Sequence, residues 1–236
     1  MVQIQELLSG NIPSMQDFDE KPLCVDCGLM DYQHALSVQL ELHERVANEE
    51  LPALLLICEH LPVITLGLHA QHNQLLCSKE QLEAMDIQVV PTRRGGGSTA
   101  HNPGQLVLYP IMKLSAFGFR IATFVHAIEQ LGMQVLKQTE VSTIRKARYP
   151  GLWVEDKKIA SLGTQIHRGV SMHGIAINLY NDLKLFDYIV PCGIEGVQMT
   201  NAIREGGIRI PMEQLKDIVQ ASWTSMCLRQ KQTNEN

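Results

Sequence analysis

No apolar run in this chain is longer than Ala53–Cys58, and that bounds what it can fold into. A bilayer-spanning helix needs about 20 apolar residues in succession, so no segment predicts a membrane span. The sequence carries short β-type runs between longer amphipathic patterns. Val63–Leu66, Ile87–Val90 and Gln105–Ile111 join Ala53–Cys58 as expected strands. Gly151–Val154, Glu155-Asp156 and Lys158–Leu162 predict a tight hairpin, with another strand near Gly174–Leu179. Tyr32, Leu36 and Leu40 fall at every fourth position of a helix expected over Met30–Glu49 and stopped by Pro52. Ile121, Phe124, Ile128, Leu131 and Val135 mark a second helix over Phe119–Lys137. Met212, Leu215, Val219, Ser222 and Met226 mark a third, from Pro211 to about Leu228. Strands linked mostly by short turns favour an α/β fold: a single domain with a mixed, mostly antiparallel sheet and packed helices. The domain is expected over residues 26–229, after a loose lead-in at 1–25 and before a polar tail at 230–236.

The formal charge of -5 argues against a broad nucleic-acid surface, because phosphate backbones reward a net basic protein. Basic residues come in local runs: Arg93 and Arg94; Arg145, Lys146 and Arg148; Lys157 and Lys158. Such runs are ordinarily solvated faces, and they also suit an acidic protein partner. Glu6, Asp17, Asp19 and Glu20 stand where a secretory signal would be apolar. With no such signal, the six cysteines (24, 27, 58, 77, 192, 227) read as reduced thiols, and a cytoplasmic location is expected.

Three segments carry the residue types that chemistry needs: Arg94–Gln105, Lys158–Gly163 and Ile189–Gly193. Gly95, Gly96 and Gly97 let the main chain approach a ligand closely, and Ser98, Thr99 and His101 add side-chain donors beside them. The spacing fits neither a Walker loop nor a dinucleotide fingerprint, so a plain surface turn stays open. Cys192 lies between Pro191 and Gly193, which fixes the backbone before the sulfur and leaves it uncrowded after. A lone cysteine is more often a buried small hydrophobe; a nucleophile needs a nearby cation to hold its thiolate. Strand alternation would turn one of Lys157 and Lys158 toward such a site and the other toward solvent. Cys24-Val-Asp-Cys27 has metal or redox spacing without a second pair, and His60, His69 and His72 lack zinc-protease spacing, so no metal site is expected. There is no Gly-x-Ser-x-Gly elbow for a serine nucleophile.

Together the three segments resemble the octanoyl-[carrier protein]:protein N-octanoyltransferases, also called lipoyl(octanoyl) transferases or the lipoate-protein ligase B family. The resemblance rests on Arg94, Gly95, Gly96, Thr99, His101, Pro103, Gly104 and Gln105 in the first segment, and on Gly151 with Lys158–Gly163 in the second. In the third it rests on His173, Gly174, Ala176, Asn178, Asp182, Leu183, Phe186, Ile189 and Pro191–Gly193; the match covers roughly residues 29–203. It implies a biotin/lipoate protein ligase-like fold, with Cys192 as acyl-accepting nucleophile and Lys158 as its activator. It also implies a substrate site lined by Arg94, Gly95, Gly96, Gly97, Ser98, Thr99, Ala100, His101, Ser161, Leu162, Gly163, Gly174, Ile175 and Ala176. No cofactor is implied. The implied partners are octanoyl-acyl carrier protein as donor, and as acceptors the lipoyl domains of 2-oxoacid dehydrogenases and the glycine cleavage H protein.

Asn102 and Ala100 stand where relatives usually carry glycine and an aromatic residue, which predicts a reshaped pocket floor. Besides a relative that moves octanoyl groups between lipoyl domains and not from carrier protein, two other readings stay open from sequence. One is an ATP-dependent lipoate or biotin ligase, which would need an adenylate-binding lysine and no nucleophilic cysteine. The other is a non-catalytic acyl binder, in which Cys192 would be inert.

Overall fold

The computed structural model describes residues 1–8 and 21–235. In chain order the elements are β1 (Val2–Gln3), α1 (Ile4–Leu8), β2 (Leu23–Met30), α2 (Tyr32–Ala47), β3 (Leu54–His60) and β4 (Val63–Leu66). Then come α3 (Lys79–Glu83), β5 (Gln88–Pro91), β6 (Thr99–His101), β7 (Gln105–Ile111), α4 (Ile121–Gln138) and β8 (Ile144–Lys146). The last are β9 (Tyr149–Val154), β10 (Lys157–His167), β11 (Val170–Asn178), β12 (Gln198–Met199) and α5 (Met212–Glu235).

The main sheet has the order β1-β2-β3-β7-β11-β10-β9-β8, with β12 beside β10; a smaller sheet has the order β5-β4-β6. Pairing is antiparallel from β3 across to β8, and parallel where β1 and β2 join β3. The mixed, mostly antiparallel α/β fold expected from the short turns is the one observed.

The alternation of strand residues divides the interior into layers. Leu55 and Ile57 of β3, Leu106 and Leu108 of β7, and Ile175 and Ile177 of β11 pack on one face beneath α4 and α5. Leu54, Leu56, Val107 and Tyr109 face the other way, beneath α2. Of the residues expected to line the second helix, Phe124, Ile128, Leu131 and Val135 are buried, whereas Ile121, its first residue, is exposed. An ion pair between Lys216 and Asp26, at 2.9 Å, ties α5 to β2. Among the described residues no helix is long and apolar enough to cross a membrane.

Several expectations need correction. The lead-in is not loose throughout, because β1, α1 and the start of β2 lie within it; residues 9–20 are outside the described residues. Met30 ends a strand and does not begin a helix: the Asp31 side chain accepts the His34 N–H and starts the helix at Tyr32. The Gly-rich stretch contains a strand, β6. The terminal helix runs on to Glu235, through most of the expected polar tail; Asn236 lies outside the described residues.

Candidate active site

The hairpin of β9 and β10 sets the two lysines apart. Lys157 points outward to Glu205, at 2.7 Å. Lys158 points inward, is 2 % exposed, and its Nζ lies 3.2 Å from the Cys192 Sγ. The lysine stem needs space, and Gly151 supplies it. That residue has φ 114, and a Cβ there would sit 2.2 Å from the Ala160 carbonyl and 3.0 Å from Lys158 Cε. The ring of Trp153 lies below the ammonium, with its centroid 5.4 Å from Nζ.

Cys192 occupies a short turn, Pro191–Gly193, and has the left-handed backbone φ 57, ψ 13. Ser98 fixes it there. The Cys192 N–H donates to the Ser98 carbonyl at 2.8 Å, and the Ser98 hydroxyl donates to Val190 O at 2.8 Å. Burial pushes the thiols of Cys24 and Cys27 up to about 12, and those of Cys58 and Cys227 upward as well, so these four resist ionisation. Cys192 is set apart from them by Lys158, whose Nζ stands beside its sulfur.

The Gly-rich loop lies directly on β10. Gly95 N–H donates to Thr164 O at 3.1 Å, and a Cβ on Gly163 would come within 2.6 Å of Gly95 O. Arg94 is buried and held without a carboxylate: Nε and Nη2 donate to the Thr65 hydroxyl, Nη2 also to Thr65 O, and Nη1 to Gly95 O. Burial lowers its affinity for the proton, yet it stays a cation, and it lies close enough to Cys192 for the two charges to interact.

Cys192 stands where two spaces meet. A narrow slot, about 30 Å³, runs inward, and an open cleft of about 730 Å³ faces solvent. Of the residues expected at the site, Arg94, Gly95, Gly96, Thr99, His101, Ser161, Leu162, Gly163, Gly174, Ile175 and Ala176 all line the slot with Cys192. Gly97, Ser98 and Ala100 do not. Gly97 packs against His72, Ser98 braces the Cys192 turn, and Ala100 faces Ile64 and Phe186 in the core behind the small sheet. In a strand, Thr99 and His101 share one face and Ala100 takes the other. Asn102 is likewise away from the slot, its amide donating to Asp182 O, so the expected reshaping of the pocket floor has no structural basis.

Tyr32, Val107, Tyr109 and His173 also line the slot. The first three read in sequence as core positions of a helix and a strand. His173 was part of a motif but carried no role. Burial keeps these groups uncharged: Tyr32 is raised to about 12, Tyr109 is raised too, His173 is lowered to about 3, and His101 is lowered as well. Thr99 Oγ1, Ser161 Oγ and both ring nitrogens of His173 have no hydrogen-bond partner among the described residues. Lys158, His69, His72 and Arg148 line the outer cleft. His60, by contrast, is buried against Tyr109, at 2.8 Å, so the three histidines near one another in sequence do not meet. Among the described residues no group of three metal-ligating side chains stands together.

Residues 31–224 match the family model of the lipoyl protein ligase A/B catalytic domain. An octanoyltransferase from Dictyoglomus thermophilum is 37% identical over 200 residues, which is 85% of this chain and 81% of that protein. Another, from Syntrophobacter fumaroxidans, is 40% identical over 184 residues, 78% of this chain and 81% of that one. Among solved structures, a bi-partite lipoate protein ligase with its E2 lipoyl domain from Thermoplasma acidophilum superposes with a TM-score of 0.65 at 12% identity, covering 89% of this chain and 84% of the other; at that identity the likeness shows the fold alone.

Proposed function

The chain belongs to the lipoyl protein ligase A/B catalytic-domain family, on its octanoyltransferase side, and from that premise we propose how it works: as a cytoplasmic enzyme that carries octanoyl on Cys192 from acyl carrier protein to the lysine of a lipoyl domain. The carrying observation is the 3.2 Å approach of Lys158 Nζ to Cys192 Sγ at the junction of slot and cleft.

The Lys158 amine takes the thiol proton, and the resulting ammonium, with Arg94 behind it, holds the thiolate. The thiolate attacks the carrier thioester carbonyl arriving through the open cleft, and the carrier's sulfur leaves with the proton from Lys158. One thioester replaces another, so the acyl group keeps its activation without ATP. The acyl chain enters along the slot, whose walls part to take it, since about 30 Å³ holds only about two waters. Eight carbons at about 0.8 kcal/mol per buried methylene supply several kcal/mol of binding. The hydroxyls of Thr99 and Ser161, without a partner among the described residues, hydrogen-bond the acyl carbonyl. In the second half the neutral amine of the acceptor lysine attacks the Cys192 thioester, its proton passes to Lys158, and the amide forms as the thiolate leaves.

Backbone donors beside the sulfur are already engaged. The Cys192 and Gly193 N–H groups donate to Ser98 O and Val190 O, and that of Gly95 to Thr164 O, so an oxyanion would draw instead on Gly96 or the hydroxyls.

Intact mass measurement of the protein incubated with octanoyl-acyl carrier protein, without nucleotide, tests this reading. One octanoyl group should appear on Cys192 and leave when a lipoyl domain is added. An unmodified Cys192, with transfer only when ATP is supplied, would assign the chain to the ATP-dependent ligases.

A further inference from the structure

One residue of the slot wall also lines a second space. The slot's mouth toward the cleft is shared by Gly95, Gly96, Leu162, Gly163 and Cys192. Elsewhere on its wall one residue, His173, also lines a separate groove of about 590 Å³ bounded by α2 and β11. Among the described residues no other side chain belongs to both spaces.

His173 is built differently from the buried polar residues around it. His101 is clamped by Gln105, its Nδ1 at 2.7 Å from Oε1, and His60 is clamped by Tyr109 and Met30. His173 is 1 % exposed, yet among the described residues neither ring nitrogen has a hydrogen-bond partner. Its backbone sits in the left-handed region, φ 58, in the middle of β11, where an L-residue is strained, and its N–H is held from α2 by Gln39 Oε1 at 3.1 Å. The imidazole is therefore turned into the wall by the backbone and not by hydrogen bonds of its own. Behind it the groove carries Leu36, Leu40 and Met172, with Leu40 53% exposed.

We propose that His173 is the end stop that sets acyl-chain length: its ring closes the slot, and the groove behind it would receive the tail of a chain longer than eight carbons. This rests on the reading that the acyl group on Cys192 occupies the slot. A wall of this kind discriminates steeply, since one methylene in a closed apolar pocket changes selection by roughly 10–200-fold.

The test is a competition between octanoyl- and dodecanoyl-acyl carrier protein, read as the ratio of the two adducts on Cys192, so that a slower variant still reports. His173→Gly suits the left-handed backbone and removes the ring; His173→Asn keeps a residue type tolerated there and shortens it. Both should raise the dodecanoyl share at least about tenfold, and adding Leu40→Trp to His173→Gly should fill the groove and drive the ratio back toward octanoyl. If both single variants, shown folded by thermal melting, keep the wild-type ratio, His173 is not the stop. The octanoyl adduct of the wild type, measured alongside, tests the reading of the slot separately.

Discussion

Ser98 holds Cys192 from two sides, its carbonyl accepting the cysteine N–H and its hydroxyl donating to Val190 O two residues earlier, each at 2.8 Å. The bracing opposes a cost. A non-glycine residue at φ 57 is strained by about 1 kcal/mol or more, and an unbraced turn would relax and swing the sulfur away from Lys158. Ser98→Ala keeps the carbonyl bond and loses the hydroxyl bond, worth about 1 kcal/mol of stability. Transfer should fall about tenfold while melting temperature changes little. Wild-type turnover in Ser98→Ala would show that the hydroxyl does not position Cys192.

Lys158→Ala removes the amine that contacts the sulfur and leaves Arg94 behind it. Alkylation of Cys192 by iodoacetamide at neutral pH should slow at least about tenfold, because the thiolate is the reacting form. Lys157→Ala, on the opposite face of the same strand and paired with Glu205, should alkylate like the wild type. Equal rates in all three proteins would remove Lys158 from the proposed mechanism.

How much of this was legible before the fold was known depended on the kind of signal. Helix α4 and strands β3 and β7 showed themselves through periodicity or unbroken apolar character. Helix α2 was placed on the stripe Tyr32, Leu36 and Leu40, but its buried face runs through Ala35, Val38, Leu42 and Val46, and Leu40 is exposed. Strand β2 did not show itself: Leu23–Met30 has a register shift between Asp26 and Gly28 that breaks the alternation, and it carries Asp26 inward to Lys216. The extension of α5 through polar residues was hidden for a related reason, since an exposed helical turn needs no apolar stripe. At the site, motif order placed Cys192, Lys158 and the Gly-rich loop in one neighbourhood. It did not separate Thr99 and His101, which face the slot, from Ala100, which faces away; strand alternation did. Tyr109 and His173 reach the slot through the pairing of β7 with β11 and the close pass of Gly174 over Leu108 O, relationships between residues far apart in sequence.

Gly163→Ala probes the seat of the Gly-rich loop. The added methyl would stand 2.6 Å from Gly95 O, a backbone atom with no room to yield unless the loop lifts off β10. Overpacking of this kind costs typically about 1–3 kcal/mol. The lifted loop would take Arg94 and Gly95 out of the slot wall. Loss of octanoyl transfer with a lowered melting temperature is expected. Full activity would mean that the loop seats elsewhere during turnover.

Acid should weaken the fold through the histidines buried against the slot. In the unfolded chain each ring takes a proton near its ordinary 6.5, whereas burial holds His60 neutral down to about 4 and His173 down to about 3. Between these values the unfolded state binds more protons than the folded one, so stability rises with pH across the window. The contribution is complete above about 6.5, is lost as pH falls toward 4, and loses nothing further from His60 once its folded form protonates. Each depressed ring adds a slope of about 1.4 kcal/mol per pH unit inside the window. Urea unfolding at pH 7.5 and pH 5 should therefore show a lower midpoint at the acid pH. His60→Gln, which keeps a hydrogen-bonding group beside Tyr109 but cannot titrate, should reduce the difference. Midpoints that are independent of pH in this range would mean that the rings are not held neutral.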